Sequence, residues 1–184
     1  MNKSKIDERL PEPQLNQGTN DDVLPSAQVL PNPMLAAALI HFGCAKYDVS
    51  KFIPVSNENW CKPKGGLWTS PINSKWGWKD WCQTNNFRDC NFKNSFKIKL
   101  KETTNVFIIN TLLDLKNAPL VDCKIGNSYE KRHLDFEHIA KSYDAIWLTE
   151  KGQNQTHLSY PLNLYGWDCE SVLILNPKCI LEVA

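Results

Sequence analysis

Three residues that could do chemistry stand at the ends of apolar segments of the sequence: His41, Trp68 and Glu170. Their side chains can transfer a proton, stack on a flat ring and stabilise a developing positive charge, respectively. Each residue taken alone is more typical of a structural role: a satisfied strand-end histidine, a core aromatic residue or a solvated strand terminus. The case for a site therefore depends on the three occurring together, in order and in matching contexts.

Well-known catalytic motifs are missing from the sequence, which has no P-loop, GxGxxG, HExxH or GxSxG pattern. Its seven cysteines include no CxxC pair, and its N-terminus lacks the apolar stretch of an export signal. We therefore expect reduced, mostly buried thiols in a cytoplasmic protein without a metal. A zinc site built from scattered Cys and His residues is the weaker alternative. No apolar run reaches the ~18 residues of a membrane span, so we expect no membrane partner.

Composition favours a folded protein of balanced charge. Hydrophobic residues make up 42% of the 184 residues, and 21 basic side chains oppose 20 acidic ones. This balance disfavours a wholly disordered chain and, for the chain as a whole, a strongly cationic nucleic-acid binder. Residues 62–102 differ, because nine basic and three acidic side chains give them a net charge of +6. They could attract a pyrophosphate or a nucleic acid, although a solvated surface is the favoured interpretation.

The chain is predicted to divide into a tail and one domain. Residues 1–33 contain five prolines and no aromatic residue, which predicts a flexible tail. Such a tail is a linker, or an arm that docks on a partner, for example an antitoxin, or on the domain itself. Residues 34–184 are predicted to form the folded domain.

The order of the predicted elements favours an α+β fold. Strands are predicted over 64–69, 95–100 and 170–175. Ser70 and Pro71 predict the start of a helix over 72–82. Because strands and helices do not alternate regularly along the chain, a doubly wound parallel sheet is disfavoured. A second helix is predicted over 134–143, and the cluster of Trp76, Trp78 and Trp81 is interpreted as a core face rather than a base-stacking platform.

Three motifs, taken in order, resemble the His-Tyr-Glu branch of the ADP-ribosyltransferase superfamily, which includes the poly(ADP-ribose) polymerases and diphtheria toxin. Residues 39–43 resemble the strand-end His-Gly of that branch. Residues 66–75 resemble its Gly-[Ile/Leu]-Tyr-Phe-Ala segment, including the Ser-Lys that begins eight positions after the glycine. Residues 170–177 resemble its final Glu followed by an apolar strand and a turn. The resemblance covers these three short motifs within residues 38–180.

The sequence departs from the family pattern at four places, one of which is the strand after Glu170, about one residue longer before its turn than in the family. Trp68 stands where the family usually has Tyr, which keeps a stacking surface but removes a hydroxyl group. Phe42 separates the histidine from the glycine, and Trp76 replaces the second Ser of the Ser-Lys-Ser segment.

The resemblance implies an enzyme with two small, packed, mainly antiparallel sheets and NAD in the cleft between them. It implies an NAD-dependent ADP-ribosyltransferase, which cleaves the nicotinamide–ribose bond and transfers ADP-ribose to a protein or nucleic-acid acceptor. That cleavage passes through an oxocarbenium-like state, as in glycoside hydrolysis. A metal is not implied.

The resemblance also implies a role for each matched residue. Glu170 is the catalytic carboxylate, placed against the ribose 2′-OH. Trp68 stacks on the nicotinamide ring, and His41 donates a hydrogen bond to the adenosine-side ribose. The backbone of Gly43 holds the carboxamide, and Ser74 matches the serine that lines the cofactor cleft. Ser70 is close enough in sequence to line the same cleft, although it matches no family position.

Asp168 lies two residues before Glu170, so the two carboxylates share a face if the segment is extended. In relatives that modify arginine or nucleotides, the residue at this position helps to choose the acceptor. A loop aspartate that caps a turn beside Gly166 is the favoured alternative. Two other functions stay open: a catalytically silent module that binds a nucleotide or a protein on the same scaffold, and an NAD glycohydrolase that acts as a toxin.

Overall fold

The computed structural model describes residues 37–58, 61–122 and 132–184. The predicted tail of residues 1–33 lies outside this described part. Strands and helices are mixed along the chain, and seven of the strands join in one sheet with the order β4-β7-β8-β2-β1-β3-β9. The strands are β1 (Leu39–Phe42), β2 (Leu67–Pro71), β3 (Ser95–Leu100), β4 (Val106–Ile109), β5 (Leu120–Asp122), β6 (Arg132–Leu134), β7 (Ala145–Leu148), β8 (Ser171–Ile174) and β9 (Ile180–Val183).

In the described part of the chain, four short α-helices accompany the strands: α1 (Trp78–Thr84), α2 (Leu112–Lys116), α3 (Phe136–Ile139) and α4 (Glu150–Thr156). Strands β5 and β6 form a separate two-stranded ribbon. In the large sheet β4 and β7 run parallel, and the other neighbouring strands are antiparallel. The predicted α+β class with mainly antiparallel pairing is confirmed. The expected pair of small sheets is replaced by one seven-stranded sheet and a ribbon.

The first core cluster lies where the helices cover the sheet. Leu115 of α2 and Phe136 and Ile139 of α3 are buried against apolar side chains of β4, β7 and β8. Burial of each large aliphatic or aromatic side chain contributes about 1.5–3 kcal/mol to the hydrophobic driving force. Trp167 belongs to the same cluster, so the loop that precedes β8 is fixed by the core as well as by the strand.

The second core cluster consists mainly of strand residues. It joins side chains of β1 and β3 with side chains of β4, β7 and β8, which belong to the other half of the sheet. The alternation in β3 shows the pattern, because Phe96, Ile98 and Leu100 are buried and Lys97 and Lys99 are exposed. The strand predicted over 95–100 is thereby confirmed at its predicted bounds.

The helix predicted over 72–82 is wrong at its start. Pro71 is the last residue of β2, where it lies opposite Leu39, and α1 begins only at Trp78. Gly77 caps α1, and its backbone N–H donates a hydrogen bond of 3.0 Å to the Asp80 carboxylate. Strand pairing therefore outweighs the local preference of a Ser-Pro pair for a helix start.

Two other predicted elements differ in extent. The strand predicted over 64–69 lies at Leu67–Pro71. The helix predicted over 134–143 shortens to Phe136–Ile139. Its start is set by the Asp135 side chain, which accepts a hydrogen bond from the His138 N–H, and it ends at its C-cap, Ala140.

Helix α4 packs so closely on the end of β4 that only a glycine fits at position 152. A Cβ atom at Gly152 would overlap the Ile109 carbonyl oxygen, which belongs to rigid backbone. We expect Gly152→Ala to lower the free energy of unfolding by at least about 2 kcal/mol, measured by denaturant unfolding. Gly77→Ala is the matched control, because a Cβ there would meet its nearest atoms at 3.5 Å. Equal stability of the two variants would contradict the packing.

Candidate functional site

The three sequence motifs converge on neighbouring strands. His41 lies in β1, Trp68 lies in β2 and Glu170 immediately precedes β8. These strands are consecutive in the sheet order β8-β2-β1, although their motifs are far apart in sequence. The candidate site therefore occupies the middle of the sheet.

Strands β1 and β2 separate at His41. Their paired residues end at Ile40 and Ser70, whereas β1 continues to pair with β3 as far as Phe42 and Ser95. In a β-strand, every second residue points its carbonyl group towards the same neighbouring strand. Trp68 lies two residues from Ser70, which pairs with β1, so the Trp68 carbonyl also points towards β1, beyond the last paired residues. The His41 ring binds this carbonyl group, with 2.8 Å between Nδ1 and the oxygen.

This hydrogen bond fixes the tautomer of His41. A carbonyl oxygen only accepts, so Nδ1 carries the proton, and in the neutral ring Nε2 is left as an acceptor. Burial lowers the pKa of His41 below its ordinary value of 6.5, and the bond to the Trp68 carbonyl opposes this only in part. The ring is therefore neutral at pH 7. In this tautomer Nε2 can accept but not donate a hydrogen bond, and the predicted contact of His41 with a ribose stays a prediction.

Gly43 ends the first motif in a conformation that favours glycine. Its φ is +129°, and its N–H donates a hydrogen bond of 3.0 Å to the Asn94 carbonyl. The N–H is therefore engaged within the protein, which leaves the Gly43 carbonyl as the backbone group for the predicted carboxamide contact. A Cβ atom at this position would lie at an ordinary contact distance of 3.5 Å from His41 Nε2, so the positive φ, and not a lack of space, favours glycine here.

A cleft of about 280 Å³ opens where β1 and β2 separate. Its walls are largely aromatic, and the Trp68 ring lies edge-on to that of Trp167 at a centroid distance of 4.6 Å. The residues lining it are Ile40, His41, Phe42, Lys62, Trp68, Thr69, Ser70, Trp78, Arg88, Trp167, Asp168, Cys169 and Ser171. Of the predicted site residues, His41, Trp68 and Asp168 thus come together, and Gly43, Ser74 and Glu170 are not among the described lining residues.

Lys62 and Asp168 form an ion pair inside the cleft. The Lys62 ammonium lies 3.4 Å from the Asp168 carboxylate, and their side chains are 40% and 21% exposed. The same ammonium lies 5.6 Å from the centre of the Trp68 ring and 5.9 Å from that of Trp78. Because the pair is partly exposed to water, it contributes at most about 1 kcal/mol to stability and can open for a ligand.

Hydrogen bonds from two other segments fix the direction of Asp168. Its carbonyl oxygen accepts a bond of 3.2 Å from the Trp76 indole and one of 3.4 Å from the Gln153 amide. The Trp76 carbonyl in turn accepts from the Glu170 N–H at 3.1 Å. The backbone on both sides of Cys169 is therefore held by Trp76, a residue that the sequence analysis treated as a departure from the family pattern.

Glu170 lies beside the cleft rather than in its lining. Its carboxylate accepts a hydrogen bond of 3.0 Å from the indole of Trp147, a buried residue of the second core cluster. Trp68 lies opposite Leu173, so continuing the register puts Glu170 opposite Pro71, three residues further along β2. At about 3.3 Å per residue, this separates the Glu170 and Trp68 positions by about 10 Å along the sheet. The catalytic role that the resemblance implies for Glu170 is untested, and Asp168 is the carboxylate of this segment that lines the cleft.

The two serines that follow Trp68 differ in position. Ser70 lines the cleft, and its hydroxyl accepts a hydrogen bond of 3.1 Å from the Trp78 N–H at the start of α1. Ser74, which matches the family pattern, lies in the turn before α1, where its hydroxyl accepts from the Trp76 N–H at 3.2 Å. Each serine thus orients an aromatic residue that follows it in the chain.

Cys169 brings a thiol into the cleft but not a nucleophile. Burial raises its pKa to about 11, and the nearby hydroxyl groups of Ser171 and Ser70 offset this only in part. The thiol is protonated at neutral pH, whereas nucleophilic cysteines are thiolates. Cysteine-based covalent catalysis is therefore disfavoured here.

Sequence reasoning missed four lining residues with a clear part in the cleft: Lys62, Trp78, Arg88 and Trp167. Lys62, Trp78 and Arg88 fall in the basic, tryptophan-rich segment that stood out in the sequence. Trp167 falls in the aromatic loop before Glu170. Composition marked these regions, but the pattern did not indicate which side chains would face the cleft.

Within residues 37–58, 61–122 and 132–184, no group of three or more His, Cys, Asp or Glu side chains is placed to hold a metal ion. No helix in this part of the chain is long and apolar enough to cross a membrane. Comparison of the chain with protein-family models, curated proteins and solved structures found no significant match.

The lowered pKa of His41 predicts a contribution to stability that depends on pH. The unfolded state takes up a proton near pH 6.5 and the folded state only at lower pH, so acid favours unfolding. This contribution of His41 to the free energy of unfolding is present in full above pH 6.5 and is lost as the pH falls towards the lowered pKa. His41→Asn keeps an amide donor for the Trp68 carbonyl but does not titrate. We expect the free energy of unfolding to fall less between pH 7 and pH 5 in this variant; an identical fall would contradict the burial of His41.

Proposed function

We propose that this cleft binds NAD and that the protein cleaves the nicotinamide–ribose bond and transfers ADP-ribose to a macromolecular acceptor. The main support is the opening between β1 and β2. It brings the histidine and the tryptophan of two independently identified motifs into one cleft, together with the carboxylate of Asp168, two residues before the third motif.

The chemistry of the lining suits the nicotinamide half of NAD. The Trp68 and Trp78 rings offer apolar, electron-rich surfaces to a flat cationic pyridinium, a ligand type that aromatic faces attract. Nε2 of His41 accepts a hydrogen bond from a ribose hydroxyl group. A volume of about 280 Å³ is near the lower end of the range for ligand pockets, so the adenosine half extends outside this cleft.

Two cations in the lining favour a ligand with a phosphate group. Lys62 and Arg88 both reach the cleft. Binding of NAD draws the Lys62 ammonium from the Asp168 carboxylate to the pyrophosphate, which exchanges one charge-assisted contact for another. This exchange also frees the Asp168 carboxylate for the ribose.

Bond cleavage then needs stabilisation of positive charge on the ribose. As the bond between the ribose C1′ and the pyridinium nitrogen breaks, its electron pair leaves with neutral nicotinamide and the ribose becomes oxocarbenium-like. A carboxylate beside the ribose stabilises this state more than the ground state. The acceptor attacks C1′ and gives up a proton, and Asp168 is the carboxylate that faces the cleft to receive it.

A catalytically silent binding module is the second candidate, and one observation favours it. The carboxylate that the family resemblance assigns to catalysis, that of Glu170, is engaged by the Trp147 indole. Turnover of NAD separates this candidate from an enzyme. An NAD glycohydrolase differs from a transferase only in using water as the acceptor, and labelled NAD with a cell lysate distinguishes these two.

A pair of carboxylate variants tests which acid acts on the ribose. We expect Asp168→Asn to lower NAD turnover by about 10²–10³ with little change in NAD affinity, because the charge matters mainly in the transition state. Glu170→Gln, the matched control, is expected to retain turnover within about tenfold. Nicotinamide release and equilibrium binding provide the two measurements. A larger loss of turnover in Glu170→Gln than in Asp168→Asn would assign the role to Glu170. Full activity in both variants would contradict the proposed enzyme.

The indole of Trp68 is expected to contribute directly to NAD binding. Trp68→Ala should weaken NAD binding by about 1–3 kcal/mol, the usual effect of removing a stacking partner, and Trp68→Tyr should restore much of it. Tyr160→Ala is the control, since Tyr160 is an exposed aromatic residue that is not among the described lining residues. Isothermal titration provides the affinities. Equal binding by Trp68→Ala and the parent protein would make Trp68 a packing residue only.

A further inference from the structure

An aromatic and basic surface adjoins the cleft on the side of α1. We define it by the rings of Trp78, Trp81, Phe87 and Phe92 and the cations of Lys79, Arg88 and Lys93. Phe87 is 52% exposed and Phe92 is 58% exposed, which is costly for side chains without a polar group. Trp78 and Trp81, interpreted from the sequence as a core face, are half-buried, and Cys82 is the buried residue of α1.

Three rings of this surface contact one another in a cluster. Trp78 and Trp81 stack with centroids 5.1 Å apart, and Phe87 lies edge-on to Trp81 at 5.2 Å and to Trp78 at 6.0 Å. Phe92 instead contacts Phe42, which lines the cleft, at 5.9 Å. Because Trp78 also lines the cleft, the surface borders the cleft at Trp78 and beside Phe42.

Cations lie directly over two of the exposed rings. The Lys79 ammonium is 4.5 Å from the centre of the Phe92 ring, and the Arg88 guanidinium carbon is 5.1 Å from that of Phe87. Each exposed ring is therefore paired with a positive charge, within the segment whose net charge is +6.

The acidic residues near this surface are engaged elsewhere. The Asp80 carboxylate accepts the Gly77 N–H at the start of α1, and Asp89 accepts a hydrogen bond of 3.1 Å from the Asn91 amide. Among the described residues, Lys79, Arg88 and Lys93 form no ion pair with Asp80 or Asp89.

We propose that this surface binds single-stranded nucleic acid and leads it into the cleft as the acceptor. Unpaired bases supply flat faces for the exposed phenylalanine and tryptophan rings, and the phosphates lie against the adjacent cations. A duplex offers phosphates but keeps its base faces stacked, so it can contact the cations of this surface but not its aromatic rings. An apolar protein segment would cover the rings but leave the cations without partners. The acceptor role rests on the proposed NAD chemistry, whereas the binding itself does not.

The test is binding of a fluorescein-labelled twelve-nucleotide oligothymidylate to the full chain, measured by fluorescence anisotropy without NAD. Phe87→Ala and Phe92→Ala are each expected to weaken binding roughly tenfold, and the corresponding Tyr variants should restore it because they keep a ring. Lys79→Gln is expected to reduce the slope of log affinity against log salt by about 0.7, the effect of one phosphate contact on a single strand.

Matched controls come from α2, which follows the edge strand β4 at the far end of the sheet from β3 and β9. Leu113 is 63% exposed and Lys116 is exposed, so Leu113→Ala and Lys116→Gln remove an exposed apolar group and an exposed cation elsewhere. We expect neither control to alter binding.

Unchanged binding in Phe92→Ala, equal binding of a duplex of the same length, or no binding of the oligonucleotide would each overturn the proposal. These outcomes leave the NAD assays unaffected, so failure of one proposal is distinguishable from failure of the other.

Discussion

The candidate site depends on one hydrogen bond, from the His41 ring to the Trp68 carbonyl. Where β1 leaves β2, the ladder can no longer satisfy that carbonyl, and an unpaired buried carbonyl costs about 1–3 kcal/mol. The imidazole supplies the missing donor, so the strands can separate and a cleft can open in the middle of the sheet. The same bond orients the histidine, because it commits Nδ1 and leaves Nε2 for a ligand.

The other side of the cleft depends on tryptophan indoles. Trp76 binds the carbonyl of Asp168, and Trp147 binds the carboxylate of Glu170. Two carboxylates that are two residues apart therefore take different surroundings: one faces Lys62 in the cleft, and the other lies against the second core cluster. For this reason the proposed charge-stabilising carboxylate is Asp168 and not Glu170, the residue that the family resemblance indicates.

Much of the sheet was predictable because it depends on local patterns. The alternation around Ile98 fixes a half-buried strand, and the apolar runs after Ala38 and Glu170 fix two central ones. The direction of Asp168 was not predictable, because it is set by hydrogen bonds from Trp76 and Gln153, which are distant in sequence. The start of α1 was mispredicted for a similar reason: Pro71 is held by its partner in β1, a long-range pairing that local propensity does not contain.

The most direct test of the central claim is a crystal structure of the protein with a non-hydrolysable NAD analogue. The account predicts that the nicotinamide ring lies against Trp68, with a ribose hydroxyl group donating to Nε2 of His41 and Lys62 displaced from Asp168 towards the pyrophosphate. A dinucleotide bound elsewhere on the protein, with the pair of Lys62 and Asp168 still closed over the tryptophan rings, would contradict it.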